Sequence, residues 1–246
     1  MSLRFHEIAE SSHHILNPFT ERELMLLGEI CQLKPEMRQL DLACGKGEML
    51  CQWSHRWGIK GVGVDISPVF LAAARRRASE LNVTHKLTFV EADAGRYVAQ
   101  DEQFDVVSCI GATWIGSGIA GTINLMRPAL KPGGFMLIGE PYWTETPPEE
   151  AYASSGIGKD DFTSLIGTLD RVETAGMKLV EMVLADGHTW DRYAAAQWLA
   201  VDQWLERNAN DTEAEQLRQW IAAAQRDYLQ YGRRYLGWGV FVLKVK

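Results

Sequence analysis

The stretch Leu40-Asp41-Leu42-Ala43-Cys44-Gly45-Lys46-Gly47-Glu48 decides how the rest of the chain is read. It is the end of a buried strand that turns sharply into a helix starting near Lys46 or Gly47. Small residues at Ala43, Gly45 and Gly47 let the backbone turn tightly and approach a ligand, and the helix start presents unpaired N–H groups to it. That combination is a nucleotide cradle. A dinucleotide loop needs G-x-G-x-x-G/A, yet the sixth position is Glu48 counted from Ala43 and Leu50 counted from Gly45. Neither frame supplies the third small residue.

Composition narrows the possibilities further. With 46% hydrophobic and 23% charged residues over 246 positions, the chain can bury one sizeable core and has no disordered or repetitive character. A net charge of −7 offers no basic footprint for a phosphate backbone. The dense basic cluster Arg75-Arg76-Arg77 falls within an expected helix, so nucleic acid is not an expected partner. Cys31, Cys44, Cys51 and Cys109 form no C-x-x-C pair and read as reduced, buried thiols of an intracellular protein. No eighteen apolar residues run together, and the first residues lack the basic head, apolar run and small-residue site of a leader. The expected setting is therefore cytoplasmic, without a membrane partner. No His, Cys or acid cluster has metal-ligand spacing, so no metal is expected. Nothing in the sequence fixes an oligomeric state.

Outward from the cradle, the chain alternates strands and helices. Thr20 and Glu23 have capping-box spacing ahead of a helix ending near Leu33. Met37 to Leu42 reads as the first strand and Glu48 to Trp57 as the helix after the loop. Lys60 to Asp65 is a second strand ending in an acid, followed by Ser67 as helix cap and Pro68 at the first helical position. Asp65 stands where an acid of a doubly wound site accepts hydrogen bonds from ribose hydroxyls, with Ile66 beside it. Lys86 to Asp93 is a third strand ending in Glu91-Ala92-Asp93, and Phe104 to Ala112 a fourth, with Ile110 near its end. A helix from Ile119 to Leu130 stops at Lys131-Pro132-Gly133-Gly134, and Phe135 to Gly139 forms the fifth strand. Successive βα units imply a parallel sheet with right-handed crossovers. Its ligand site lies outside the carboxyl ends of the strands, where Gly45, Asp65, Asp93 and Ile110 converge.

The remainder adds a sixth strand from Met177 to Leu184, two helices over about 191–207 and 212–230, and an apolar strand from Trp238 to Leu243. Thr144 to Lys159, rich in Pro, Glu, Ser and Gly, reads as an irregular flap. The expected organisation is a single domain. Residues 35–185 and 236–246 form the core sheet, 1–34 the N-terminal helix, and 186–235 a helical insert capping the sheet edge. Glu140, on the rim after the fifth strand, is a candidate base. Trp114, Tyr142, Trp143 and Tyr193 are candidate acceptor contacts.

An acid, one residue, then small-x-Gly-x-Gly resembles the first motif of the class I S-adenosylmethionine-dependent methyltransferases, with Ala43 standing where their first glycine usually lies. The Phe104-Asp105 pair and the Leu130-Lys131-Pro132-Gly133-Gly134 turn are similar to segments recurrent among those acting on small molecules. The resemblance covers 40–184 and the last strand. It implies a doubly wound, mostly parallel, seven-stranded Rossmann-like sheet with an antiparallel last strand and a helical cap. It also implies S-adenosyl-L-methionine as cofactor and in-line methyl transfer to a small-molecule acceptor. The implied cofactor contacts are Asp41, Ala43, Gly45, Gly47, Asp65, Ile66, Asp93, Ala94 and Ile110, with Asp93 and the Ala94 N–H facing the adenine; in related enzymes the segment before the first helix can fold over the cofactor, which makes His14 a second candidate base. Ile110-Gly-Ala-Thr113 is not the Asn/Asp-Pro-Pro-aromatic tetrad of base-methylating enzymes. A non-catalytic binding protein of the same fold and, with less support, an NAD-dependent oxidoreductase are the alternatives.

Overall fold

The computed structural model describes residues 2–99 and 103–246. Its centre is a seven-stranded sheet of β1 (Arg38–Leu42), β2 (Lys60–Asp65), β3 (Leu87–Glu91), β4 (Phe104–Ile110), β5 (Leu130–Trp143), β6 (Met177–Leu184) and β7 (Leu236–Val245). The strand order is β3-β2-β1-β4-β5-β7-β6. β1 to β5 pair in parallel, whereas β7 lies antiparallel to both β5 and β6. The order reverses between β1 and β4, and the crevice opened there at the carboxyl ends is the natural ligand position of such a sheet.

The helices are α1 (Leu3–Ala9), α2 (Glu21–Ile30), α3 (Glu48–Trp57), α4 (Pro68–Glu80), α5 (Ile119–Met126), α6 (Glu149–Ser155), α7 (Leu165–Thr174), α8 (Gly187–Arg207) and α9 (Ala214–Asp227). On one face of the sheet, Ile119, Ile123 and Met126 of α5 and Val172 of α7 pack with Leu40, Val107 and Ile138. On the other, Leu24 and Leu27 of α2 and Met49 and Trp53 of α3 pack with Val106, Leu137 and Val240. Full burial of these apolar side chains is the main stabilising term of the fold.

Local signals explain several boundaries. The Thr20 N–H donates to Glu23 Oε2 at 2.7 Å, and the Glu23 N–H donates to the Thr20 hydroxyl at 3.2 Å, closing the capping box at α2. Thr20→Ala is expected to destabilise the protein by about 1 kcal/mol in denaturant unfolding; no loss would mean that α2 is held by its buried face alone. At α4 the Phe70 N–H donates to Ser67 Oγ, with Pro68 in the first turn.

Three features differ from the sequence expectation. α1 was not anticipated, because its apolar face of Phe5, Ile8 and Ala9 meets Val201 and Leu217 of the distant α8 and α9, in a small core separate from the sheet. β5 is longer than Phe135–Gly139: it continues to Trp143 because β7 pairs with it from Met136 through Trp143. The segment from Thr144 to Lys159 contains α6, anchored by buried Ala151.

Candidate active site

The loop after β1 bends sharply at three small residues. Ala43, Gly45 and Gly47 take φ values of 57°, 53° and 65°, the left-handed region in which a side chain is strained. Ala43 adopts it with a methyl group, which explains why glycine suits that position. Asp65, at the end of β2, holds this loop: its Oδ2 accepts from the Gly45 N–H at 2.7 Å and its Oδ1 from the Ser67 N–H at 2.8 Å. A carboxylate offers about four lone-pair sites, so Asp65 keeps acceptor capacity for a ligand. Burial nevertheless raises its proton affinity, with the Ser67 and Gly45 N–H groups opposing.

Asp41, on β1, is buried and receives the Ser108 hydroxyl at 2.6 Å, while Gln39 Nε2 donates to that hydroxyl at 3.0 Å. Burial pushes the Asp41 carboxyl up to about 7, despite the Ser108 bond, and neighbouring Asp65 adds to the shift. Burial thus raises the proton affinity of both acids, and a cationic ligand beside them would act in the opposite direction.

A cavity of about 930 Å³ lies over these strand ends. At one end it is lined by Asp41, Ala43, Gly45, Gly47, Asp65 and Ile66, with Asp93, Ala94 and Ile110 continuing the wall. At the other it is walled by Phe19, Pro141, Phe162, Trp190, Tyr193 and Trp238. His14 and the exposed ring of Trp114 stand on its border. Asp93 Oδ1 accepts from the Gly95 N–H at 2.9 Å, fixing the turn after β3.

Residues 2–19 form a strap over this cavity, in the place the resemblance allowed for a segment folded over the cofactor, held by contacts that the sequence did not disclose. Leu16 packs so closely on Gly45 that a Cβ there would lie 2.6 Å from Leu16 Cδ1. Lys46 Nζ reaches three strap carbonyls, those of Glu10 at 2.7 Å, Ser11 at 3.1 Å and His13 at 2.6 Å. From α8, the Tyr193 hydroxyl donates to Glu10 Oε1 at 2.5 Å and lies 3.1 Å from the Leu16 carbonyl, while Gln197 Nε2 donates to Glu10 at 2.6 Å. Burial alone would raise the Glu10 carboxyl, but His13 at 3.0 Å and Tyr193 outweigh it and hold the group below the usual range. The strap is thus fastened to the cradle and to α8. Lys46→Met is expected to speed hydrogen exchange of residues 10–16 and to weaken binding of S-adenosylhomocysteine about tenfold; unchanged protection would show that Lys46 is not the fastening.

Three residues expected at the rim do not line the cavity. Glu140 is only 1% exposed, with neither carboxylate oxygen in hydrogen-bonding geometry. It shares a strand face with Ile138 and Tyr142, which belong to the cluster under α5 and α7, and so points into that layer. Tyr142 lies across the β5–β7 ladder on Gly237, where it fills the place of a side chain. Trp143 packs edge-on against Tyr152 and Phe162. Pro141 and Phe162 take the cavity positions instead.

A methyltransferase domain model matches residues 40–134. The chain is 47% identical to the uncharacterized protein YjhP of Escherichia coli, over 98% of this chain and 97% of that protein. A crystal structure of a S-adenosylmethionine-dependent methyltransferase from Geobacter sulfurreducens, in complex with S-adenosyl-L-homocysteine, is 45% identical. It superposes with a TM-score of 0.95, covering 100% of this chain and 99% of that one. This chain is a class I S-adenosylmethionine-dependent methyltransferase. A second such enzyme, from Thiobacillus denitrificans and also in complex with S-adenosyl-L-homocysteine, is 42% identical with a TM-score of 0.93, covering 100% of this methyltransferase and 99% of its own chain. The methyltransferase's cofactor is S-adenosylmethionine, and the free acceptor capacity of Asp65 and the buried acid Asp41 beside the open cradle fit a cationic ligand with ribose hydroxyls. Among the described residues, no helix is long and apolar enough to cross a membrane, and no cluster of three or more His, Cys, Asp or Glu could hold a metal.

Proposed function

We propose that this methyltransferase transfers the methyl group to a small-molecule acceptor seated among Phe19, Phe162, Trp190 and Trp238. The observation that carries this reading is one continuous roofed cavity of about 930 Å³ running from Asp65 to those rings. That volume is near the upper end of small-molecule sites, roughly 300–1,000 Å³, and leaves room for two reactants. S-adenosylmethionine, when bound, supplies a methyl carbon already activated by positive sulfur. The chain has to align the acceptor and exclude water, effects that can each contribute several kcal/mol.

In this reading Asp65 receives the ribose hydroxyls and Ile66 covers the adenine, while Asp93 and the Ala94 N–H meet its edge. Gly45 and Gly47 give the backbone approach, with Ala43, Asp41 and Ile110 completing the cofactor wall. Trp114, 75% exposed at the border, shields the mouth. Tyr193 is a wall and a fastening rather than a base, since its hydroxyl is committed to Glu10 and burial pushes its pKa well above the ordinary value. His14, exposed at the border, is the group free to take a proton from an acceptor that needs one. The four unpaired cysteines support a cytoplasmic setting. The net charge of −7 disfavours a nucleic-acid acceptor.

The test is to incubate the enzyme with methyl-labelled S-adenosylmethionine and a whole-cell extract, then separate small molecules from macromolecules by filtration. Label in the filtrate is the expected result. Label retained with protein or nucleic acid would overturn the small-molecule reading.

A further inference from the structure

A second cavity, of about 640 Å³ and termed the vestibule, lies beside the first, and His14, Ile15, Asn17, Phe19, Glu48 and Tyr193 line both. Its outer wall carries Arg192 and His188, with Thr189 between them. His188, Arg192 and Ala196 follow at four-residue intervals along α8 and present one helix face to the opening, with the small Ala196 leaving space below the charged groups. Arg192 and His14 are exposed and have no hydrogen-bond or ion-pair partner among the described residues.

Most acids in or near this wall already have partners, and Glu48 and Arg77, which line the cavity together, pair with each other. Glu48 is held by Arg77 at 2.9 Å and by Gln52 at 2.8 Å. Asp186 caps α8 through the Thr189 N–H, and Asp191 takes Arg233 and the Tyr228 hydroxyl. Glu21 remains as the opposing charge. A chain of net charge −7 thus lines this cavity with the unpaired guanidinium of Arg192, the paired one of Arg77, and three imidazoles, His13, His14 and His188, of which His13 faces Glu10.

We propose that the vestibule binds an anionic substituent of the acceptor, a carboxylate, sulfonate or phosphate, on Arg192 with His188 as a further donor. The apolar body of the same molecule extends past Phe19 to the rings. Arg192 is a specificity residue in this scheme: its guanidinium can grip an oxyanion with two parallel N–H bonds. The inference rests on the small-molecule reading above and narrows it to amphipathic anions.

Two dyes of nearly identical shape separate the inference from its premise. 1-Anilinonaphthalene-8-sulfonate and uncharged N-phenyl-1-naphthylamine are titrated into the enzyme saturated with S-adenosylhomocysteine, following dye fluorescence. The sulfonate should bind more tightly than its uncharged twin. Arg192→Glu should weaken the sulfonate about tenfold and leave the uncharged dye unchanged. A matching reversal on the remote, exposed helix position Arg226 should change neither. Equal affinity of the two dyes, an equal loss of both in Arg192→Glu, or a like loss in Arg226→Glu would overturn the anionic site while leaving the ringed chamber standing. Failure of both dyes to bind would overturn the chamber and the vestibule together.

Discussion

Asp65→Ala is expected to lower the affinity for S-adenosylhomocysteine by roughly a hundredfold or more. The carboxylate makes two charge-assisted bonds to the site's own backbone, to the Gly45 N–H at 2.7 Å and the Ser67 N–H at 2.8 Å. Each such bond contributes about 1.5–3 kcal/mol. Removing them frees a loop already bent into left-handed φ at Ala43, Gly45 and Gly47 and leaves two buried N–H groups unpaired. The ligand loses its hydroxyl acceptor at the same time. Calorimetric titration measures the affinity, and thermal unfolding of the same sample shows the loop's share of the loss. Asp65→Asn, which keeps the shape and one acceptor oxygen, should fall between. A folded Asp65→Ala protein with unchanged affinity would remove Asp65 from the site.

Stability should fall as pH rises from about 4.5 to 7, and Glu140 should account for much of the slope. Burial raises the Glu140 carboxyl from its ordinary 4.5 to about 7, with the Thr113 hydroxyl and the Arg171 charge only partly offsetting it. Asp41 moves likewise from 3.8 to about 7. The folded state then binds these protons more tightly than the unfolded chain does. Their contribution is most favourable below the unfolded values, declines through the window and levels off above about 7, at a cost on the order of 3 kcal/mol for Glu140 and 4 kcal/mol for Asp41. Glu140→Gln removes a charge that the fold solvates poorly. At pH 8 it should raise stability by about 2–3 kcal/mol, near pH 5 the gain should vanish, and cofactor affinity should be unaltered. Denaturant unfolding at the two pH values decides this. A variant that is less stable at pH 8 would mean that Glu140 has a partner it cannot lose.

The cofactor end of the cavity was legible in the sequence because it is built from strand ends. A buried run, a turn of small residues and a terminal acid are local patterns, and the doubly wound rule then brings Gly45, Asp65, Asp93 and Ile110 to one edge. That a segment before the first helix covers the cofactor end was implied by the resemblance alone, and its fastenings were not legible. Lys46 fastens it through backbone carbonyls, which every residue carries, and Glu10 gains its burial only from Tyr193 and Gln197 far along the chain. Helix α1 was hidden for the same reason, its partners lying on α8 and α9. The misplacement of Glu140 had a signal that was available: side chains alternate along a strand, so Glu140 and Tyr142 must share the buried face of Ile138 while Pro141 turns the other way. Of the aromatic residues in the insert, Trp190 and Tyr193 reach the cavity, a selection that helix packing makes and composition cannot.

The most direct measurement is calorimetric titration of the unmodified protein with S-adenosylhomocysteine, with NAD as the control ligand. The cradle at Gly45 and Asp65, with no third small residue for a pyrophosphate, predicts micromolar binding of S-adenosylhomocysteine and none of NAD. Absence of S-adenosylhomocysteine binding, or equal binding of NAD, would contradict the assignment of this cavity.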